Sequence, residues 1–268
     1  MSDVWCCPKL RQLYQTCSHD PNQMTFDTDN LARESANAFA RQLTAAIHKR
    51  FDTRVFGVYL LGSLAHGGFG RRYSDLDMAL IVMGGLKGNE LSDIRAAAAE
   101  LSPVWAARLS VFWSDPNFVV GRFPPLDRID YLDHAVTLVE RQRSTPPRPT
   151  LDEIRTYLAG APFAGWLASA RQFAEKSELG SNEHKNYLRT LLYPARFIMS
   201  WRTGRIASND EAVAFLRTAV PTGLDIDIVE RALECRRRAE DPIGLWQDRN
   251  ILPQHIDVCQ RLANENVK

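Results

Sequence analysis

An apolar, β-branched run, Val55-Phe56-Gly57-Val58-Tyr59-Leu60-Leu61, is cut off by Gly62-Ser63, and about ten residues later Ser74-Asp75-Leu76-Asp77 leads into a second apolar run, Ala79-Leu80-Ile81-Val82-Met83. A β-branched apolar run bounded by glycine reads as a buried strand. Gly62 stands where the chain needs freedom in φ to turn. Side chains two apart on a strand share a face, so Asp75 and Asp77 are expected on one strand, projecting together. The pattern therefore asks for two core strands, a tight turn after the first and a pair of carboxylates at the start of the second.

These parts suit one kind of chemistry. Backbone N–H groups at a turn that opens into a helix N-terminus receive anions, and the Ser63 hydroxyl adds a donor. Hard carboxylate oxygens from Asp75 and Asp77 suit Mg²⁺, which keeps several waters and bridges protein to phosphate oxygens. A nucleoside triphosphate held by Gly62, Ser63 and Ser74 would present its α-phosphorus to an acceptor hydroxyl and release pyrophosphate, a reaction governed by positioning and electrostatics. Arg71 and Arg72 add positive potential nearby. Either aspartate alone reads as a solvated turn residue; the joint pattern of strand, Gly-Ser, acid pair and strand is what carries the reading.

That pattern resembles the nucleotidyltransferase superfamily with a polymerase-β-like core. The resemblance implies that the Gly62-Ser63 pair lies against the triphosphate and that Asp75 and Asp77 bind metal. Members of that superfamily carry a further acid on a later strand, as metal ligand or general base. The matching strand here is Leu109-Ser110-Val111-Phe112-Trp113, and by register the acid's position holds Ser110. Asp115, in a turn-like Ser114-Asp115-Pro116-Asn117, would point to the opposite face on a continuous strand but could swing in from that turn. Asp127, Asp130 and Asp133 follow in a Pro-led segment from which each could approach the site, although capping and solvation explain acids there more simply. Three options stay open: a base from elsewhere, an acceptor that needs none, or a catalytically weak nucleotide-binding domain acting as a sensor or interaction partner.

Size and charge narrow the class. With 33 Lys and Arg against 32 Asp and Glu, the net charge is +1, so no sequence-wide basic footprint marks a nucleic-acid binder, although a local groove would still allow one. No apolar run approaches the ~20 residues that span a bilayer, and no signal core opens the chain, so a cytoplasmic location is expected. Cys6, Cys7, Cys17, Cys235 and Cys259 are odd in number and lack zinc spacing, which points to reduced thiols; Cys6-Cys7 with His19 is a poor tetrahedral set.

Along the chain, residues 1–28 read as a polar N-terminal arm, and Asp29-Asn30 caps a helix running to Phe51. A helix over 92–101 and a strand over 136–139 complete a small mixed sheet with helices over 29–143. Ser144-Thr145-Pro146-Pro147-Arg148-Pro149 marks a domain junction. Helical periodicity then takes over, with segments near 150–159, 164–178, 182–203, 208–218, 225–240 and 252–266. The expected fold class is thus α+β, a small mixed sheet followed by a helical bundle over 150–268; the resemblance implies that the first is a nucleotidyltransferase domain and that substrates lie in the cleft between the two.

Arg189, Tyr193 and Arg196 recur at helical spacing and share a face, either snorkelling into water or turned toward phosphates. The stretch from Arg196 through Trp201-Arg202-Thr203-Gly204-Arg205-Ile206-Ala207 resembles the helical domain of bacterial aminoglycoside nucleotidyltransferases, the streptomycin and spectinomycin adenylyltransferases. The resemblance covers 55–83 and, more loosely, 183–240. It implies transfer of AMP from ATP to a small aminoglycoside-type acceptor, a tRNA end or protein side chain being second, with Arg196 on the ATP. A basic residue follows the Thr-Gly at Arg205, whereas a lysine position of that group holds Asn209. Glu183 and His184 could serve the acceptor, His66 reads first as loop surface, and Trp105, Trp113, Trp166, Trp201 and Trp246 read as core.

Overall fold

The computed structural model describes residues 21–265. Residues 1–20 of the expected arm lie outside that range, as do Cys6, Cys7, Cys17 and His19. The first helix reaches further back than its Asp29-Asn30 signal, for α1 spans Pro21–Phe51. Its Phe39, Leu43 and Ile47 repeat on one face and bury themselves against the sheet.

The strands fall where alternation and β-branching place them: β1 Val55–Leu61, β2 Leu76–Val82, β3 Leu109–Ser114 and β5 Val136–Glu140, with a two-residue β4 at Gly121–Arg122. They form one mixed sheet in the order β4-β3-β2-β1-β5, in which only β2 and β3 run parallel. Helix α2 (Gly62–His66) leaves the end of β1; α3 (Glu90–Leu101) and the short α4 (Pro103–Ala106) link β2 to β3; α5 (Pro125–His134) precedes β5.

The sheet sorts its residues by parity. Val58, Leu60, Leu76, Met78, Leu80 and Val82 pack against α1 and α3. Tyr59, Leu61, Ala79 and Ile81 pack on the other side against Tyr131 of α5. Asp77 has the parity of Ala79 and Ile81, so the register that buries β2 also aims this carboxylate toward α5. Asp75 precedes the strand by one residue.

Residues after 150 form helices alone among those described: α6 Leu151–Ala159, α7 Ala161–Glu175, α8 His184–Thr203, α9 Asn209–Thr218, α10 Ile226–Arg237, α11 Ile243–Trp246 and α12 Leu252–Glu265. Thr150 and Ser208 build capping boxes with Glu153 and Glu211, which start α6 and α9. Gly204, at φ 66°, stops α8 in the left-handed region that a side chain would resist. These helices share one apolar cluster that also takes in Tyr73 and Ile129 from the sheet half. The proline-rich connection is pinned as well: the Tyr131 hydroxyl donates to the Ser144 carbonyl at 2.8 Å, and Arg148 pairs with Asp133. No helix among the described residues is long and apolar enough to cross a membrane.

Candidate active site

Gly62 does three things at the end of β1. Its φ of 64° turns the chain into α2. A Cβ on it would overlap the Asp77 carboxylate. Its N–H donates to Asp130 Oδ2 at 2.6 Å, so α5 anchors the turn from behind. Any side chain at 62 would thus disturb the backbone and the acid together.

Beyond α2 the loop is tied into the helical half. Ser74 is buried, accepts from Gly70 N–H at 2.9 Å and from Arg236 at 3.1 Å, and Arg236 also donates to the Tyr73 carbonyl. Ser74 was expected beside a nucleotide, yet it lies outside the cavity wall; its hydroxyl closes the loop that sets Asp75. Arg71 and Arg72 pair with Asp29 and Asp241. Glu183 bonds Lys176 and Gly180, and His184 meets Asp241 at 2.6 Å. None of these four lines the cavity.

The cavity itself has a volume of about 380 Å³ and lies where the sheet half meets the helices. Gly62, Ser63, Asp75, Asp77 and Arg196 all line it, so five of the six residues picked from the sequence converge. One wall is acidic: Asp75 and Asp77 from β2 and its approach, Asp127 and Asp130 from α5. The other is cationic: Lys185, Arg189 and Arg196 from one face of α8, and Arg236 from α10. Arg189 and Arg196 both line the cavity, on the helix face that their spacing marks. Arg196 is enclosed by protein while its side chain remains exposed to the cavity. Burial and then Arg189 lower its pKa, and Asp77, Asp130 and Asp127 oppose that.

Charge on the acidic wall is under-compensated. Burial first, and Asp75 next, push the Asp77 carboxyl up to about 6, with the Ser110 hydroxyl acting the other way. Burial, then Asp77 and Asp130, push Asp127 up to about 7. Asp130 is 3% exposed, and its Oδ1 has no partner. Asp75 is ion-paired with Lys185 across the cavity. His66 also lines the cavity with its Nδ1 unpartnered, and burial lowers its pKa.

Strand β3 forms over the segment where a third acid was expected. Ser110 lies beside Asp77 in the parallel β2–β3 register. Asp115 is spent on its own turn, accepting from Val119 and Val120 N–H at 2.8 Å each, and Asp133 pairs with Arg148. Asp127 and Asp130 are the acids that reach the cavity. Sequence reasoning left their segment without a helix, though Pro125 at the first helical position and acids three apart were signals for one. Lys185 and Arg236 were missed too; Lys185 lies four residues before Arg189, on the face already noted.

Comparisons with protein-family models and with curated proteins give no match. Among solved structures, the fold is similar to that of one described as an adenyltransferase. The crystal structure of spectinomycin adenyltransferase AAD(9) from Enterococcus faecialis with ATP and spectinomycin superposes with a TM-score of 0.61 at 12% identity, covering 84% of this chain and 98% of that one. At this identity the likeness is one of fold.

Proposed function

We propose that this protein is a nucleotidyltransferase that moves AMP from ATP to a hydroxyl of a small acceptor of aminoglycoside type. The observation that carries it is the facing of two walls: a Gly62-Ser63 turn with an acid pair, against four cations on α8 and α10. A triphosphate brings the negative charge that Arg196, Arg189 and Arg236 would neutralise. The architectural likeness to an ATP-bound adenyltransferase supports the same reading.

Among the described residues, no group of three or more His, Cys, Asp or Glu side chains gathers into a metal site. Mg²⁺ needs fewer, since one or two carboxylates plus phosphate oxygens and water suffice. Asp77 is buried beside the like charge of Asp75, which a cation would relieve, so Asp75 and Asp77 would hold the ion, and Lys185 would then be free of Asp75. Bound there, Mg²⁺ would supply charge neutralisation along the phosphates. Gly62 and Ser63 offer backbone and hydroxyl donors to the terminal phosphates, and Arg196 holds the leaving pyrophosphate. Ser74 serves by fixing the loop ahead of Asp75. We place a nucleotidyltransferase domain at 29–143 and a substrate-binding helical bundle at 150–268 in a cytoplasmic protein.

A second reading, nucleotide binding without efficient chemistry, is favoured by the Lys185–Asp75 ion pair, which occupies a metal-binding carboxylate. Incubation with Mg²⁺ and α-phosphate-labelled ATP, using separate pools of spectinomycin with streptomycin, total tRNA and protein, separates the readings. Label in the aminoglycoside pool, lost in an Asp75→Ala/Asp77→Ala variant, is the expected result. Tight ATP binding with no label in any pool would favour the sensor, and label in tRNA or protein would reassign the acceptor.

A further inference from the structure

Transfer to a hydroxyl needs a group that takes the hydroxyl proton, and Ser110, beside Asp77 on β3, cannot hold it. We propose that Asp127 of α5 is the base for the acceptor hydroxyl, supplying from a helix the carboxylate that strand β3 lacks; this rests on the transferase reading above.

Asp127 lines the same cavity as Asp75 and Asp77, and stands close enough to Asp77 and Asp130 for their charges to act on it. The three other acids have structural or metal-binding work. Asp75 is held by Lys185, Asp130 gives one oxygen to Gly62 N–H, and Asp77 sits against Gly62 at the turn. Asp127 forms no ion pair with any described residue.

A second observation points to a ligand at the same place. Asp130, one turn along α5 from Asp127, is 97% buried and keeps Oδ1 without a donor in the cavity wall. A buried acceptor left unmade costs free energy, so a native fold keeps one where a bound molecule supplies the donor. An acceptor with neighbouring hydroxyl or ammonium groups would donate to Asp130 while presenting one hydroxyl to Asp127. Leu126 and Tyr157 flank this end of the cavity and give such a molecule an apolar and a phenolic surface.

The step balances without further reactants. The acceptor O–H bond breaks and its proton passes to an Asp127 carboxylate oxygen. The acceptor oxygen forms a bond to the α-phosphorus of ATP. The bond from that phosphorus to the bridging oxygen of the β-phosphate breaks, and pyrophosphate leaves with the electron pair.

The test uses D127N, S110D and the S110D/D127N pair in the full chain, with whichever acceptor takes label from the wild type, and thermal melts to confirm folding. Expected is a loss of about 100-fold or more in kcat for D127N with Kd for Mg·ATP within about threefold of wild type, and recovery of about tenfold or more when S110D is added. A role confined to structure would not give that recovery. Wild-type turnover in D127N, loss of ATP binding together with turnover, or failure of S110D to restore activity would each overturn the proposal. Absence of transfer by the wild type itself would instead sink the transferase reading, and the base with it.

Discussion

The two walls of the cavity carry opposite charge and are built in different ways. On the sheet side, Asp77 is placed by strand parity and Asp130 by a 2.6 Å bond from Gly62, so the carboxylates are held by rigid backbone. On the helical side, Lys185, Arg189 and Arg196 extend as long side chains from one face of α8. A rigid acid pair suits a metal with strict geometry, whereas extended cations can close on a flexible anion. The Lys185–Asp75 pair, the one ion pair among the described residues that joins the walls, shows them resting on each other.

The largest effect should come from disabling the rigid wall. Asp77→Ala should lower turnover by ~10³-fold while Asp77→Asn and Asp77→Ala both remain folded, as assayed by labelled AMP transfer and circular dichroism. Chelation of divalent cations by EDTA should do the same reversibly; transfer that continues in EDTA would separate the acids from metal binding. On the other wall, Arg196→Ala should weaken ATP binding about tenfold to a hundredfold in calorimetry, the range of one charge-assisted contact. Arg196→Lys should recover only part of that, since a guanidinium's fork is lost. If the arginine variant binds ATP normally, the cationic wall serves something other than the triphosphate.

Stability separates the walls next. Asp130→Ala should cost about 1 kcal/mol in urea unfolding, because the half-buried Gly62 N–H loses its acceptor. Protonation acts in opposite directions in the two halves. Asp127 has its folded pKa raised to about 7, so the unfolded chain releases this proton more readily, and its contribution to stability is lost as pH rises from about 4 through 7. D127N should therefore raise Tm at pH 8 in metal-free buffer and leave it unchanged at pH 4. His255, fully buried in the helical half, accepts from Asp225 N–H, and burial lowers its pKa to about 4. Its contribution is present above about 6.5 and lost as pH falls through 4, so H255Q should flatten the acid limb of a Tm–pH profile. The smallest effect belongs to the exposed Arg72–Asp241 pair between the halves, whose Arg72→Ala variant should change stability by less than ~1 kcal/mol.

The same contrast decides how much of the site could be read from the chain. The acidic pair and the Gly-Ser turn are local in sequence: parity and a glycine break place Asp77, Gly62 and Ser63 with no knowledge of tertiary structure, and Asp75 follows from standing one residue ahead of the strand. Most strand limits and the helical segments after 150 followed from periodicity for the same reason. Ser74 was misjudged because a serine beside two acids looks like part of their site, whereas its hydroxyl is consumed by Gly70 and Arg236, 162 residues away from the latter. No local pattern sets Asp127 and Asp130 apart from Asp115 and Asp133, because their helix is brought to the cavity by Tyr131 packing on Tyr59 and Ile81. Arg236 reaches the cavity only through the packing of α10 on α8 and α9.

The central claim is that the acidic and cationic walls close around a nucleoside triphosphate. A crystal structure of the protein with Mg²⁺ and α,β-methylene-ATP tests it most directly. The account predicts phosphates between Gly62-Ser63 and Arg196, the ion on Asp75 and Asp77, and Lys185 released from Asp75 onto a phosphate. Nucleotide bound elsewhere, or bound in the cavity with the Lys185–Asp75 pair intact and no metal at the aspartates, would contradict it.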